Sequence, residues 1–297
     1  MVYILLLLTV FFCSYQNVLK KEYNKRCSGG IFCYSGLICL SALAVFAVAN
    51  RDFDITPKLL GYAAAFSVAY AAATVCMVLA FRYGSLAISS LIISYSLLIP
   101  TIYGVIFLKE PIGVTMIVGF ALLIVSLLLT NFPQKKSAEL VEKEEKKKSH
   151  TLLWIITLAI SFVGNGMCST IQTMEKQAFV GVGEKPQTNL FMILALAINT
   201  VVMFGISLFT ERSEIKTVCK KTWWIAVICG LMNGLTNLLV IYLNPPRLPA
   251  SVLFPVISGG GIVFTFLYAM IVYREKFKPI QIVGFLLGVG SIVLLNL

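Results

Sequence analysis

The chain has 297 residues, of which 59% are apolar and only 12% charged, with 24 Lys and Arg against 13 Asp and Glu and a net charge of +11. Soluble domains carry about twice that share of charge, so a water-exposed globular fold is excluded. A mean hydropathy of +0.91 agrees.

The apolar residues are gathered into bilayer-length runs. In chain order they are 2–19, 29–49, 59–80, 85–108, 112–131, 152–174, 188–209, 222–243, 250–273 and 279–296, each bounded by charged residues or Pro. About 18 to 25 residues at about 1.5 Å per residue cross a hydrocarbon core of about 30 Å. Lipid admits only helices or closed barrels, and the short alternation of barrel strands is missing, so ten transmembrane helices are expected. The first run has no basic residue before it and is followed at once by Lys20, Lys21, Lys25 and Arg26. That is the layout of an uncleaved anchor.

All the basic residues lie between the runs or at their edges. The odd-numbered connections hold 18 of them and the even-numbered ones 6. The positive-inside rule then puts the odd connections in the cytoplasm and both termini outside. The net charge has the same origin, so the partner it implies is the lipid bilayer and not nucleic acid. Residues 132–150 form the longest polar stretch, with 10 Lys or Glu among 19. We read 132–151 as a charged cytoplasmic linker between five-helix units at 1–131 and 152–297.

Those units are related. A gapless offset of 165 residues lays Tyr103 on Tyr268, Glu110 on Glu275, Ile117-Val118-Gly119-Phe120 on Ile282-Val283-Gly284-Phe285, Ser126 on Ser291 and Asn131 on Asn296. Twelve of the 48 positions in 84–131 are identical under it. Five spans per copy is an odd number, so the second copy is expected upside down relative to the first. Inverted repeats are characteristic of secondary carriers, where each half can adopt the other's conformation.

Arg82-Tyr83-Gly84-Ser85-Leu86-Ala87-Ile88-Ser89-Ser90, the following span, Leu108-Lys109-Glu110-Pro111 and the Ile-Val-Gly-Phe helix resemble the EamA-type repeat of the drug/metabolite transporter superfamily. Arg247-Leu248-Pro249-Ala250-Ser251 through Tyr273-Arg274-Glu275-Lys276 to Gly284 resemble it a second time. The resemblance implies an all-α membrane protein of ten helices in two inverted five-helix repeats around a central cavity. It also implies movement of a small polar or amphipathic metabolite, often by efflux through the plasma membrane. Many members of the superfamily are drawn with both termini in the cytoplasm, opposite to the charge count, which we retain.

Polar residues at mid-span are the candidates for a substrate cavity, because such groups are expensive in lipid unless they face a lumen or another helix. We single out Asn17, Tyr70, Tyr95, Asn165, Gln172, Asn233, Thr236, Asn237, Ser258 and Gly260. Asn233 and Asn237 share a helical face with Thr236 beside them, and Asn165, Ser169 and Gln172 form a second stripe. The alternative is that they join helices by side-chain hydrogen bonds. Ser258-Gly259-Gly260-Gly261 reads either as a close helix contact or as a loosened helix exposing its backbone. Glu110 and Glu275 read as interfacial anchors. No ionisable residue stands at the centre of a run, so ion coupling would fall to an edge carboxylate such as Glu22 or Glu175, or be absent.

The eight cysteines form no C-x-x-C pair, His150 is alone, and no G-x-x-x-x-G-K-[ST] occurs. No cofactor, metal or catalytic set is therefore expected, and the chain is not expected to be an enzyme. The expected partner is a small-molecule substrate, with the chain acting as a monomer or a homodimer. The function expected is a secondary carrier working by alternating access; the alternative is a passive channel or facilitator.

Overall fold

The computed structural model describes residues 2–50, 54–107, 113–130, 144–181, 183, 187–243 and 250–295. Most of the linker, with Lys109, Glu110, Pro111, Asn131, Arg247, Leu248, Pro249 and Asn296, lies outside the described residues. The described residues are helical, with no strand among them. The helices are α1 (Val2–Arg26), α2 (Ile31–Ala49), α3 (Pro57–Tyr83), α4 (Leu86–Ser94), α5 (Leu98–Phe107), α6 (Val114–Thr130), α7 (Glu144–Val180), α8 (Thr188–Thr210), α9 (Arg212–Thr217), α10 (Trp223–Leu243), α11 (Ala250–Ile271) and α12 (Pro279–Leu295).

Among the described residues, seven segments are long and apolar enough to cross a membrane: Val2–Arg26, Ile31–Ala49, Pro57–Tyr83, Leu86–Gly104, His150–Val180, Thr188–Thr210 and Arg212–Val240. The fifth, ninth and tenth expected spans are helices with shorter apolar stretches, Ile117–Ser126, Val256–Ile271 and Pro279–Leu294. Large apolar side chains such as Leu7, Val68, Phe209 and Ile271 point outward. Such a surface suits lipid and not water.

Local chemistry sets several boundaries. Thr56 caps α3 by accepting from the Leu59 amide at 3.3 Å, with Pro57 in the first turn, and Ser85 caps α4 through the Ile88 amide at 3.4 Å. These caps satisfy amides that a helix start leaves free. The fourth span is interrupted by a 3₁₀ turn at Tyr95–Leu97. Pro100 has no N–H to offer the carbonyl of Ser96. A side chain at position 166 would collide with that carbonyl, so Gly166 of α7 lets the two helices close on the break.

Several helices run past the charge that ended the expected span, α1 and α7 by the most. α1 continues from 19 to Arg26 and α7 from 174 to Val180. A hydropathy run stops at its first charge, whereas a helix continues wherever packing or an exposed face accommodates one. Lys20 and Glu175, expected at edges, consequently stand on helices and are buried.

The two halves pack mainly against each other. α6 lies along α12, α2 along α8 and α4 along α11. α3 packs on α7 and α8, α10 on α1 and α2, α1 on α11, and α7 on α4 and α5. Bonds also gather the connections at two ends. At one end, the α1–α2, α3–α4, α8–α9 and α11–α12 junctions are joined through Glu211, Glu275 and Arg82. Elsewhere, Lys58 near the start of α3 donates to the Ala178 carbonyl of α7 at 2.7 Å.

Candidate polar site and helix tethers

The densest side-chain network joins α1, α3 and α10. Gln16 of α1 and α10 exchange bonds: Gln16 Nε2 donates to Thr236 Oγ1 at 3.2 Å, and Asn233 Nδ2 donates to Gln16 Oε1 at 3.0 Å. The Tyr70 hydroxyl of α3 donates to Asn233 Oδ1 at 3.2 Å. Asn237 Nδ2 reaches the Asn233 carbonyl at 2.9 Å and its Oδ1 at 3.4 Å. The helical period places these groups together, since 233, 236 and 237 share one face. Four of the sequence candidates, Tyr70, Asn233, Thr236 and Asn237, therefore meet at one point. Gln16 is itself buried in the network, and Lys20 and Thr74, also buried, follow Gln16 and Tyr70 by one turn on their helices.

Other candidates lie elsewhere. Asn165 Nδ2 donates to Ser96 Oγ at 2.6 Å, at the break in the fourth span. Among the described residues, Gln172 Nε2 reaches only the Met192 sulfur, at 3.6 Å. The Tyr95 hydroxyl shares a 2.6 Å hydrogen bond with Ser126 Oγ, which in turn donates to the Gly284 carbonyl at 2.6 Å. This ties α6 to α12 within an apolar cluster. Ser258 and Gly260 lie on an unbroken α11, where a Cβ at Gly260 would come within 3.0 Å of Val10 of α1. The small-residue run thus serves a close helix approach. Asn17 is half-buried and makes no hydrogen bond among the described residues.

Two buried ionisable groups were not legible as such. Lys20 is 7% exposed, and its ammonium meets the Met77 sulfur at 3.1 Å. Glu175 is fully buried, and among the described residues neither carboxylate oxygen meets a partner at good hydrogen-bond geometry. Lys20 follows Gln16 by one turn, the signal that could have separated it from the exposed Lys25.

Glutamates of the second half hold helix starts of the first. Glu211 accepts from the Ile31 and Phe32 amides at 2.9 and 3.0 Å. Glu275 accepts from Ser85 Oγ at 2.5 Å and the Leu86 amide at 3.1 Å, with Lys21 at 4.0 Å. A carboxylate at a helix N-terminus meets unpaired amides and the positive end of the helix dipole. A cavity of about 310 Å³ opens beside Glu275, lined also by Gly84, Ile88, Lys276, Phe277 and Gln281. No group of three or more potential metal ligands occurs among the described residues.

These features define a multi-pass helical membrane protein with a buried polar network. Residues 1–132, rather less than half of the chain, match the EamA-like transporter family, in agreement with the resemblance seen in the motifs of the first half. No curated protein matches the chain.

Proposed function

We propose that the chain is a secondary carrier built from two inverted five-helix repeats, moving a small polar or amphipathic metabolite by alternating access, with export through the plasma membrane as its direction. The observation that carries this reading is the exchange symmetry of the helix pairing. Taking α1, α2, α3, α4 with α5, and α6 as the first repeat, and α7, α8, α10, α11 and α12 as the second, each major contact between halves has its counterpart. The α3–α7 contact mirrors α1–α10, α3–α8 mirrors α2–α10, and α1–α11 mirrors α7 with α4 and α5. The α2–α8, α4–α11 and α6–α12 contacts are their own counterparts. A pseudo-two-fold arrangement of this kind lets one half exchange roles with the other.

The Gln16–Tyr70–Asn233–Thr236–Asn237 network supplies neutral donors and acceptors between repeats, where a carrier's site belongs. The test is flux through the purified chain in proteoliposomes. A carrier saturates with substrate and shows counterflow, in which unlabelled solute inside drives labelled solute in. Flux that neither saturates nor shows counterflow would identify a passive facilitator instead.

A further inference from the structure

We propose that Lys20 is the counter-charge for an anionic cargo. The solute is a small monoanion whose carboxylate pairs with the Lys20 ammonium, while the adjoining Gln16 and α10 amides receive its neutral polar part. This deepens the carrier reading and rests on it.

The argument begins with how the other cations of α1 are satisfied. Arg26 pairs with Glu22 at 2.9 Å and Lys25 with Glu22 at 4.0 Å, both with side chains about half exposed. Lys21 donates to the Gly84 carbonyl at 2.7 Å and lies 4.0 Å from Glu275. Glu275 is itself committed to Ser85 and the Leu86 amide. Lys20 has no carboxylate within 4.0 Å among the described residues. Its contact is the Met77 thioether, a weak acceptor for a group with three N–H donors.

A lysine this close to a helix end ordinarily extends its stem and keeps the charge in water. Lys20 instead turns inward on the stripe that carries Cys13, Gln16, Asn17 and Asn24. An unpaired buried charge is strongly unfavourable, and an ionisable residue kept inside a membrane bundle marks a site where a partner arrives. The position fits that role. Gln16, one turn away on the same face, is bonded to Asn233 and Thr236, and Thr74 is buried on the α3 face that also carries Tyr70 and Met77.

The surroundings limit the partner to one negative charge. Arg82 of α3 is occupied by Asn24 Oδ1 at 3.1 Å and the Cys27 carbonyl at 3.4 Å. With one uncommitted ammonium, a dianion would remain partly uncompensated. Glu22 and Glu275 are both engaged, so no free carboxylate stands beside Lys20 for the amine of a zwitterion. A net monoanion is the match.

The experiment uses the purified full-length chain in two formats, thermal shift and proteoliposome flux. Its probes are lactate and benzoate, their uncharged amides lactamide and benzamide, and glycine, choline and inorganic phosphate. Lactate or benzoate should stabilise and be carried, with the matching amide inactive. Lys20→Met should weaken the response to the acid at least about thirtyfold, the ratio expected when one member of a buried charge pair is removed, and Lys20→Arg should restore part of it. If Lys20→Met does not fold, the acid-against-amide comparison on the unaltered chain decides. Equal response to acid and amide, or a response to the acids that Lys20→Met leaves intact, overturns the assignment. Carried amides or choline that ignore the Lys20→Met change leave the carrier standing while the anion assignment falls. Silence toward every probe in both formats defeats the two together.

Discussion

Gln16 and Asn233 illustrate what residue-scale packing adds to a list of polar positions. Asn233 Nδ2 donates to Gln16 Oε1 across α1 and α10, so removing either residue leaves a buried polar group without its partner. We predict that Gln16→Leu and Asn233→Leu each lower stability by about 1–2 kcal/mol and that the double variant costs clearly less than their sum. Thermal unfolding of the three variants in detergent reads this directly; strict additivity would show that the pair does not act as a unit. Asn233, Thr236 and Asn237 were readable from spacing because α-helical period alone puts them on one face. Gln16 and Lys20 were not readable as their partners, because nothing local says which stripe of α1 faces α10. Tyr95 and Asn165 are polar residues inside their runs just as Tyr70 and Asn233 are, yet they bond to Ser126 and Ser96. Depth selects polar residues, and only packing divides them between a site and a helix seam.

Helix ends and crossings carry the next level. Gly230 and Gly234 lie on α10 where it meets α2; a Cβ at Gly230 would stand 2.7 Å from that of Ser41, and one at Gly234 would stand 2.8 Å from that of Val45. The close approach explains why two glycines four apart persist in an apolar helix. At the α2 start, Glu211 supplies from the other half the cap that the first half lacks, since Gly30 offers no side chain and sits at φ 75°. Glu211→Gln should therefore lower thermal stability by about 1–2 kcal/mol, the order of a charge-assisted cap; an unchanged melting temperature would show that the cap does not hold α2. Glu275 performs the same task for α4. The sequence marks Glu275 as an interfacial anchor, and the structure names what it anchors. Charge ends a hydropathy run but not the helices that reach Arg26 and Val180, because a lysine or glutamate can remain on a helix as long as its side chain finds a place.

At the scale of the molecule, the junctions joined by Glu211, Glu275 and Arg82 belong to odd-numbered connections, the ones richest in Lys and Arg. Lys58 and Ala178 link segments beside the second and sixth connections. We expect impermeant maleimide to label exposed Cys219 and Lys276→Cys from the same side of the membrane, and Asp54→Cys from the opposite side. On the charge count, the shared side is cytoplasmic. Labelling of Asp54→Cys and Lys276→Cys from one side would overturn the proposed antiparallel relation between the halves, and with it the basis for the proposed alternating access.

Composition and the spacing of apolar runs were enough to determine that the chain is helical and membrane-embedded, because a bilayer leaves the backbone few ways to satisfy its hydrogen bonds. The offset of 165 residues points to a duplication, since identical Glu, Gly, Ser and Asn positions do not follow from apolar composition. Which face of each helix turns toward which neighbour was decided only by tertiary packing. Helices that are apolar on nearly every side carry almost no local signal of their inward stripe. That orientation brings Gln16 to Asn233, buries Lys20 beside Met77, and gathers scattered polar residues into one network.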